Sequence, residues 1–464
     1  MHVSHRMGWR LSLAATALLA ACGGSPALPA TLPPAIVTVY LAGTPTAAGA
    51  ATPASIPLPG EATATPAPAT AVVATAAPVV GPDTYPANVN PLTGEVVKPE
   101  QIARMPIAAK IANFPYAVRP QSGLSLADVV FEHLAEAGVT RFTAVFEQND
   151  ADQVGSIRSA RYVDTELAPM FGAILVTSGS SLGTMQHLRS NAWFQGENLW
   201  RLVSEETHYV CPPLCHATPE DTNTLFASTK AVRQATAAQA DPRARAQSGF
   251  TFAAAAPSGG APTGEVLIDF SSAAHVSWRY NPGGNAYTRW QDKDPSGELV
   301  AHLDALTNKP ITARNVVVLF VNYQNNFVPE DFRDGGNCGL EIQLWTAGPA
   351  RIFRDGQVFI GRWRRDQTTS WRLRLEDNAG RNLPLAPGNT WFAVVGLNAI
   401  ETQTAATYAV ANKVVDTRTE CPVPPTETPT ETPEGYIAPT ETPIGFIASD
   451  TPEGFVAATD TPTP

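Results

Sequence analysis

The chain has 464 residues, with 42 Asp and Glu against 31 Lys and Arg, a net charge of −11 and 42 prolines. Nothing in that balance suggests the electrostatic footprint a nucleic-acid partner requires. The prolines are concentrated toward the two ends, leaving a middle longer than one core usually fills, so two domains are expected.

At the amino terminus, Arg6 and Arg10, with His2 and His5, precede the apolar run "LSLAATALLAA". It is too short to span a bilayer and reads as a signal-peptide core. The run ends in Leu19-Ala20-Ala21-Cys22. Small residues before a cysteine at this place resemble the bacterial lipobox, in which Cys22 is acylated, for instance with palmitate, and becomes the first residue of the mature chain; a plain secretory signal is the alternative. The expected location is extracytoplasmic, lipid-anchored to a bacterial membrane, with the lipid bilayer as partner through Cys22. Residues 23–84 are Ala, Thr and Pro with almost no charge, a composition expected to form a disordered tether.

An α/β domain is expected over 85–240. "PIAAKIANF" (106–114) and "RFTAVFE" (141–147) read as strands, and "SLADVVFEHLAEAG" fits a helix face or, preferably, a strand paired through Gly138 to the next one. Val163, Leu167, Met170 and Phe171 keep helical spacing, "AILVTS" reads as a buried strand and "SLGTMQHLRS" as a short helix. Strands alternating with helices argue for a mixed sheet. The stretch Ala235–Pro262, rich in Ala, Gly, Ser and Pro, is the expected seam between halves that each have a core of their own.

Over 260–415 the expected domain is mostly antiparallel β. "HVSWRYNPGGNAYTRWQ" is a hairpin around Asn281 to Gly284 and "RIFRDGQVFIGRW" a second around Asp355-Gly356; "NVVVLFVNY", "LEIQLW" and "WFAVV" are further strands. Tryptophans 278, 290, 345, 363, 371 and 391 are expected in the core rather than as a ligand platform. In 421–464, "TPEGYIA", "TPIGFIA" and "TPEGFVA" recur at nine or ten residues, too short a period for a helical solenoid, so a disordered Thr/Pro/Glu tail is expected. That tail holds Glu427, Glu431, Glu434, Glu441, Asp450, Glu453 and Asp460 and no basic residue, so it carries most of the net charge and the middle is only mildly acidic.

"NPLTGE" (90–95), "RPQSGLSLADVVFE" (119–132), "GVTRFTAVF" (138–146) and "VGSIRSAR" (154–161), followed by "VSWRY", "RIFRDGQVFIGRW" and "PLAPGNTW", resemble the YerB-like family of bacterial lipoproteins, in that family's order and over most of 88–400. The resemblance implies an envelope lipoprotein of two domains. It brings no reaction or ligand, the family being one of unknown function, and "CPPLCHATPEDTNTLFAS" departs from the His-Asn pattern of that part of the family.

Cys211, Cys215, Cys338 and Cys421 remain after Cys22, an even number in an oxidising compartment, which favours disulfides of unassigned pairing. Zinc on His208, Cys211, Cys215 and His216 is the lesser alternative, and "CPPLCH" has three residues between its cysteines where haem attachment needs two. No cofactor is expected. Gly179-Ser180-Ser181-Leu182-Gly183 fits G-x-S-x-G between a strand and a helix, making Ser181 the candidate nucleophile of a serine hydrolase acting on envelope material. Arg119, Arg141, Arg158 and Arg161 are fork donors suited to carboxylate or phosphate, and Glu132, Glu136 and Glu147 are their obvious structural partners. The preferred function is non-enzymatic binding of an anionic ligand or envelope partner through this arginine-bearing loop, with Glu132 and Glu136 beside it. An assembly factor with no small ligand is the third reading.

Overall fold

Mostly apolar runs with no interior proline make the centre of the molecule: Ile107–Ala112, Val129–Leu134 and Thr140–Phe146 are buried along their lengths, apart from the half-buried Arg141. In this computed structural model residues 78–413 are described, apart from 220, 242–244 and 332–336. The signal peptide, Cys22, the tether as far as residue 77, Cys421 and the acidic tail all lie outside the described residues.

Val129–Leu134 and Thr140–Phe146 form the expected hairpin, turning at Glu136–Gly138, where Ala137 (φ 57°) and Gly138 (φ 73°) take left-handed backbone. Ile107–Ala112 pairs antiparallel with Thr140–Phe146, and Ile174–Val176 and Leu202–Val203 extend the sheet in parallel. The first half therefore carries a mixed sheet. Its helices Asp164–Phe171 and Leu182–Ser190 fall where apolar spacing places them; the first ends at Gly172, whose φ of 67° is the left-handed cap glycine supplies readily.

On its other edge Val129–Leu134 pairs in parallel with Thr390–Gly396, from far along the chain, with Phe131 opposite Phe392. Asn315–Val321, Thr346–Arg354, Gln357–Arg365 and Arg374–Glu376 continue outward, and with Ala261–Pro262 the sheet has eleven strands among the described residues. The two halves thus share one sheet and one continuous core, which corrects the expectation of separate cores. The seam takes part in that core: Phe250 and Phe252 are buried, and Phe250 stacks on Phe392 at 5.4 Å while Phe392 stacks on Phe131 at 4.6 Å. Each such ring stabilises by about 1.5–3 kcal/mol through burial alone. The tether boundary moves as well, because Val80 exchanges backbone hydrogen bonds with Phe252.

The remaining strands of the second half form a mostly antiparallel sheet, Leu299–Ala301, Ala286–Asp292, Ala274–Asn281, Glu265–Ser271, Thr407–Ala411 and Ile400–Gln403 in order. Both expected hairpins are present, at Asn281–Ala286 and Arg354–Gln357. Asn337–Ile342 pairs with Tyr323–Asp331 as a separate ribbon that reaches the helix Leu182–Ser190, where Val328 packs so closely that a Cβ on Gly183 would lie 2.4 Å from it. Tryptophans 278, 363 and 391 are in the core; 290 and 345 are half-buried and 371 is exposed, so the indoles divide between two roles. No helix among the described residues is long and apolar enough to cross a membrane.

Candidate functional site

The arginines are taken up in different ways. Arg161 forks onto Glu136, Nε to Oε1 at 2.5 Å and Nη2 to Oε2 at 2.7 Å, with Glu330 of the ribbon 3.6 Å from Nη1. Burial alone would raise the Glu136 carboxyl, but Arg161 and Arg141 override it and hold it below the ordinary range. Arg119 pairs with Asp292 at 3.1 Å and lies over the Tyr116 ring. Arg158 donates to the Thr222 carbonyl at 3.2 Å. Arg141 is half-buried, donates to the Ser159 carbonyl at 2.6 Å, and is pushed down to about 9 by burial and by the neighbouring Arg161 and Arg158 charges, which Glu136 and Glu330 only partly offset.

Glu132 and Glu136 do not share a face. The strand ends at Leu134, and the turn at Glu136 sends its carboxylate to Arg161 while Glu132 points into the core. There Glu132 receives Arg289 of the second half at 2.8 and 2.9 Å, Trp391 Nε1 at 3.1 Å and Thr140 Oγ1 at 3.2 Å. Arg289 also donates to Gln291 Oε1 and to His302 Nδ1, each at 2.7 Å, and His302 Nε2 meets Gln121 Oε1 at 2.7 Å. Burial, then the Arg289 charge, keeps the His302 ring neutral. Among the described residues Glu147 pairs with no arginine: one oxygen accepts the Ala246 N–H at 2.6 Å and the other has no partner, and burial pushes the carboxyl up to about 8.

A second buried group escaped sequence reasoning. Lys110, on a central strand, donates to Asp164 Oδ1 at 2.8 Å and Thr143 Oγ1 at 3.1 Å, with His133 Nε2 at 2.8 Å. Burial lowers the ammonium to about 8 against the pull of Asp164, and burial followed by the Lys110 charge drives His133 well below its usual value. His133 Nδ1 then donates to the Leu134 carbonyl at 2.9 Å and Nε2 accepts from the lysine. A lysine inside "IAAKIA" is the signal, since an interior charge requires a partner.

Ser181 does stand at a strand-to-helix turn, but its Oγ caps the helix by accepting the Thr184 N–H at 3.2 Å, and its other neighbour is the Glu330 carboxylate. The nearby His187 faces Thr165 Oγ1 and stacks on Tyr162, and no histidine among the described residues hydrogen-bonds the serine. The turn's Ser180 N–H receives the Glu206 carboxylate at 3.1 Å, and Gly179 (φ 127°) keeps room for it. Cys211 and Cys215 are bonded to each other, which removes both thiolates from any zinc set; His216 instead meets Glu205 at 3.0 Å, and His208 sits at a left-handed turn residue. Cys338 is also disulfide-bonded.

A sizeable concavity lies elsewhere. An open groove of about 1050 Å³ runs between the helix Asp164–Phe171 with residues 187–192 on one wall and residues 341–346 and 365–371 of the second half on the other. Tyr162 and His187 stack at 4.0 Å, 5° from parallel, and Trp345 and Trp371 line the groove with them. The Arg365–Glu166 ion pair joins the walls, and Arg365 also donates to the Leu344 and Trp371 carbonyls at 2.9 Å. Asp366 caps the turn Gln367–Thr369, after which Ser370 (φ 53°) and Trp371 (φ 60°) take left-handed backbone that non-glycine residues adopt at a cost of about 1–3 kcal/mol each. Hydrogen bonds from the Thr369 and Trp371 N–H groups to the Asp366 carbonyl hold that conformation, and Trp371 is 50% exposed.

A shared mixed sheet, a mostly antiparallel second sheet and a groove where the halves meet define a two-part, β-rich protein with an open cleft. Residues 92–243 match the family described as "Protein of unknown function (DUF3048) N-terminal domain" and residues 266–392 match its C-terminal domain, and the chain belongs to this family. It is 28% identical over 324 residues to the Bacillus subtilis (strain 168) protein described as "Putative lipoprotein YerB", covering 68% of this chain and 88% of that one. The crystal structure of YerB protein from Bacillus subtilis is similar with a TM-score of 0.53 at 26% identity, over 67% of this chain and 97% of that chain.

Proposed function

We propose that this is a lipid-anchored, extracytoplasmic binding protein without a catalytic reaction, and that its ligand occupies the groove between Asp164–Phe171 and Arg365–Trp371. The observation that carries the reading is the strained, half-exposed Trp371 facing a cleft built by both halves. The lipobox-like Cys22 and the similarity to a protein described as a lipoprotein support the anchor. The arginine-bearing loop acts as scaffold, since Arg119 and Arg161 already hold carboxylates. A hydrolase working through Ser181 has little support, given that Ser181 caps a helix and faces a carboxylate.

To test the groove, the full chain is titrated with a muramidase digest of bacterial cell wall while tryptophan fluorescence is followed. A saturable change is expected, lost when Trp345 and Trp371 are both replaced by Ala with the fold intact by circular dichroism. An unchanged titration in that variant, or none in the parent protein, refutes the reading.

A second reading concerns Arg141, a half-buried guanidinium that donates to the Ser159 carbonyl at 2.6 Å, makes no ion pair among the described residues and lies near the Arg161 and Arg158 charges. It predicts that inorganic phosphate shifts the thermal transition upward in the parent protein and not in Arg141→Gln; no shift in the parent would dismiss it.

A further inference from the structure

The groove's lining narrows the chemistry of its occupant. Glu166, Glu341 and Asp366 stand against Arg365 alone, and burial holds His187 below its ordinary value, so the cleft is formally negative and repels an anion. Its carboxylates are also engaged within the chain: Glu166 by Arg365, Asp366 by the N–H groups of Thr368 and Thr369, and Glu341 by the Gln324 amide. A cation would have to compete with those contacts.

The unengaged groups are neutral. Tyr162 Oη, Trp345 Nε1, Trp371 Nε1 and the side-chain amides of Gln247 and Gln367 have no hydrogen-bond partner among the described residues. Flat aromatic faces beside uncharged donors and acceptors match a molecule with apolar C–H faces and a girdle of hydroxyls, which is the surface of a pyranose ring. An open groove suits a chain of such rings better than a single enclosed one.

We infer that the groove takes a neutral saccharide chain, with Trp371 as stacking platform and Gln247 and Gln367 binding hydroxyls. This deepens the proposed function and rests on the groove being its ligand site. Trp371 is preorganised for the part: its left-handed backbone is locked by Asp366 and Arg365, so little freedom is lost on binding.

The full chain is titrated calorimetrically with a chito-oligosaccharide and a cello-oligosaccharide, and in parallel with polyglutamate and spermine as anionic and cationic probes. The expected result is saturable binding of at least one saccharide, weakened ten-fold or more by Trp371→Ala and by Gln247→Ala and unaltered by Leu397→Ala, an exposed residue outside the groove. Binding of polyglutamate or spermine alone, abolished by Trp371→Ala, would overturn the saccharide class and leave the groove standing. Saccharide binding indifferent to both groove variants would overturn the site itself. If none of the four probes binds, the saccharide inference falls, and the cell-wall digest decides the groove separately.

Discussion

Replacing Glu132 by Gln tests the contact that ties the two halves inside the core. Glu132 and Arg289 are fully buried, the Arg289 guanidinium has no other carboxylate within hydrogen-bond reach among the described residues, and its remaining partners, Gln291 and His302, are uncharged. The amide keeps the shape of the carboxylate but has one acceptor where there were two, and four donor contacts converge on it. With its oxygen turned to Trp391, its NH₂ can donate to Thr140, whose hydroxyl already accepts from Asn113 at 2.7 Å, but it then faces Arg289 with a second donor. A buried charge stripped of its counter-charge costs about 3–5 kcal/mol. At about 2 °C per kcal/mol for a body of this size, the melting temperature should fall by about 6–10 °C. Differential scanning calorimetry near neutral pH reads this directly. A shift within about 1 °C would refute the reasoning, because it would mean that Arg289 finds water or another anion once Glu132 is neutral.

Arg161→Gln should likewise lower stability, by up to about 3–5 kcal/mol, since it leaves the buried Glu136 and Glu330 with only the nearby Arg141 charge, and unchanged thermal unfolding would show that Arg141 or water suffices for them. Glu147 gives a pH signature: its carboxyl is raised from 4.5 to about 8 by burial, so the folded state holds the extra proton between those values and stability declines as pH rises through that window. Asp128, raised from 3.8 to about 6, adds a decline of the same sign at lower pH. Glu147→Gln should therefore flatten the decline between about pH 5 and 8 and stabilise the fold above pH 8 in urea titrations; an unaltered slope counts against it. Cys22→Ser should move the intact chain from the membrane fraction to the soluble fraction, and retention in the membrane would defeat the anchor.

The local elements were legible because their causes are local. Asn281-Pro282-Gly283-Gly284 and Asp355-Gly356 announce their turns, and the spacing of Val163, Leu167 and Met170 announces a helix. What pairs with each charge was not legible, because the partners are remote: Glu132 meets Arg289 across 157 residues and Arg365 meets Glu166 across 199. A nearby arginine and glutamate in sequence are good candidates only when the backbone between them is known, as Arg161 and Glu136 show from one side and Glu132 from the other. The groove was invisible for the same reason. Trp371 reads as one more core indole until the turn after Asp366 and the opposite wall are placed around it.

The parallel pairing of Val129–Leu134 with Thr390–Gly396 has a bearing on how the polypeptide matures. A nascent chain that ends before residue 390 presents the apolar edge of Val129–Leu134 with its backbone groups unpaired, a surface prone to pairing with other chains. The central sheet can close only after the late strand has emerged, so folding is a late, whole-chain event with slow, long-range strand pairing. Until then the early segments need protection from aggregation, and premature termination anywhere before Thr390 yields a product without a finished core.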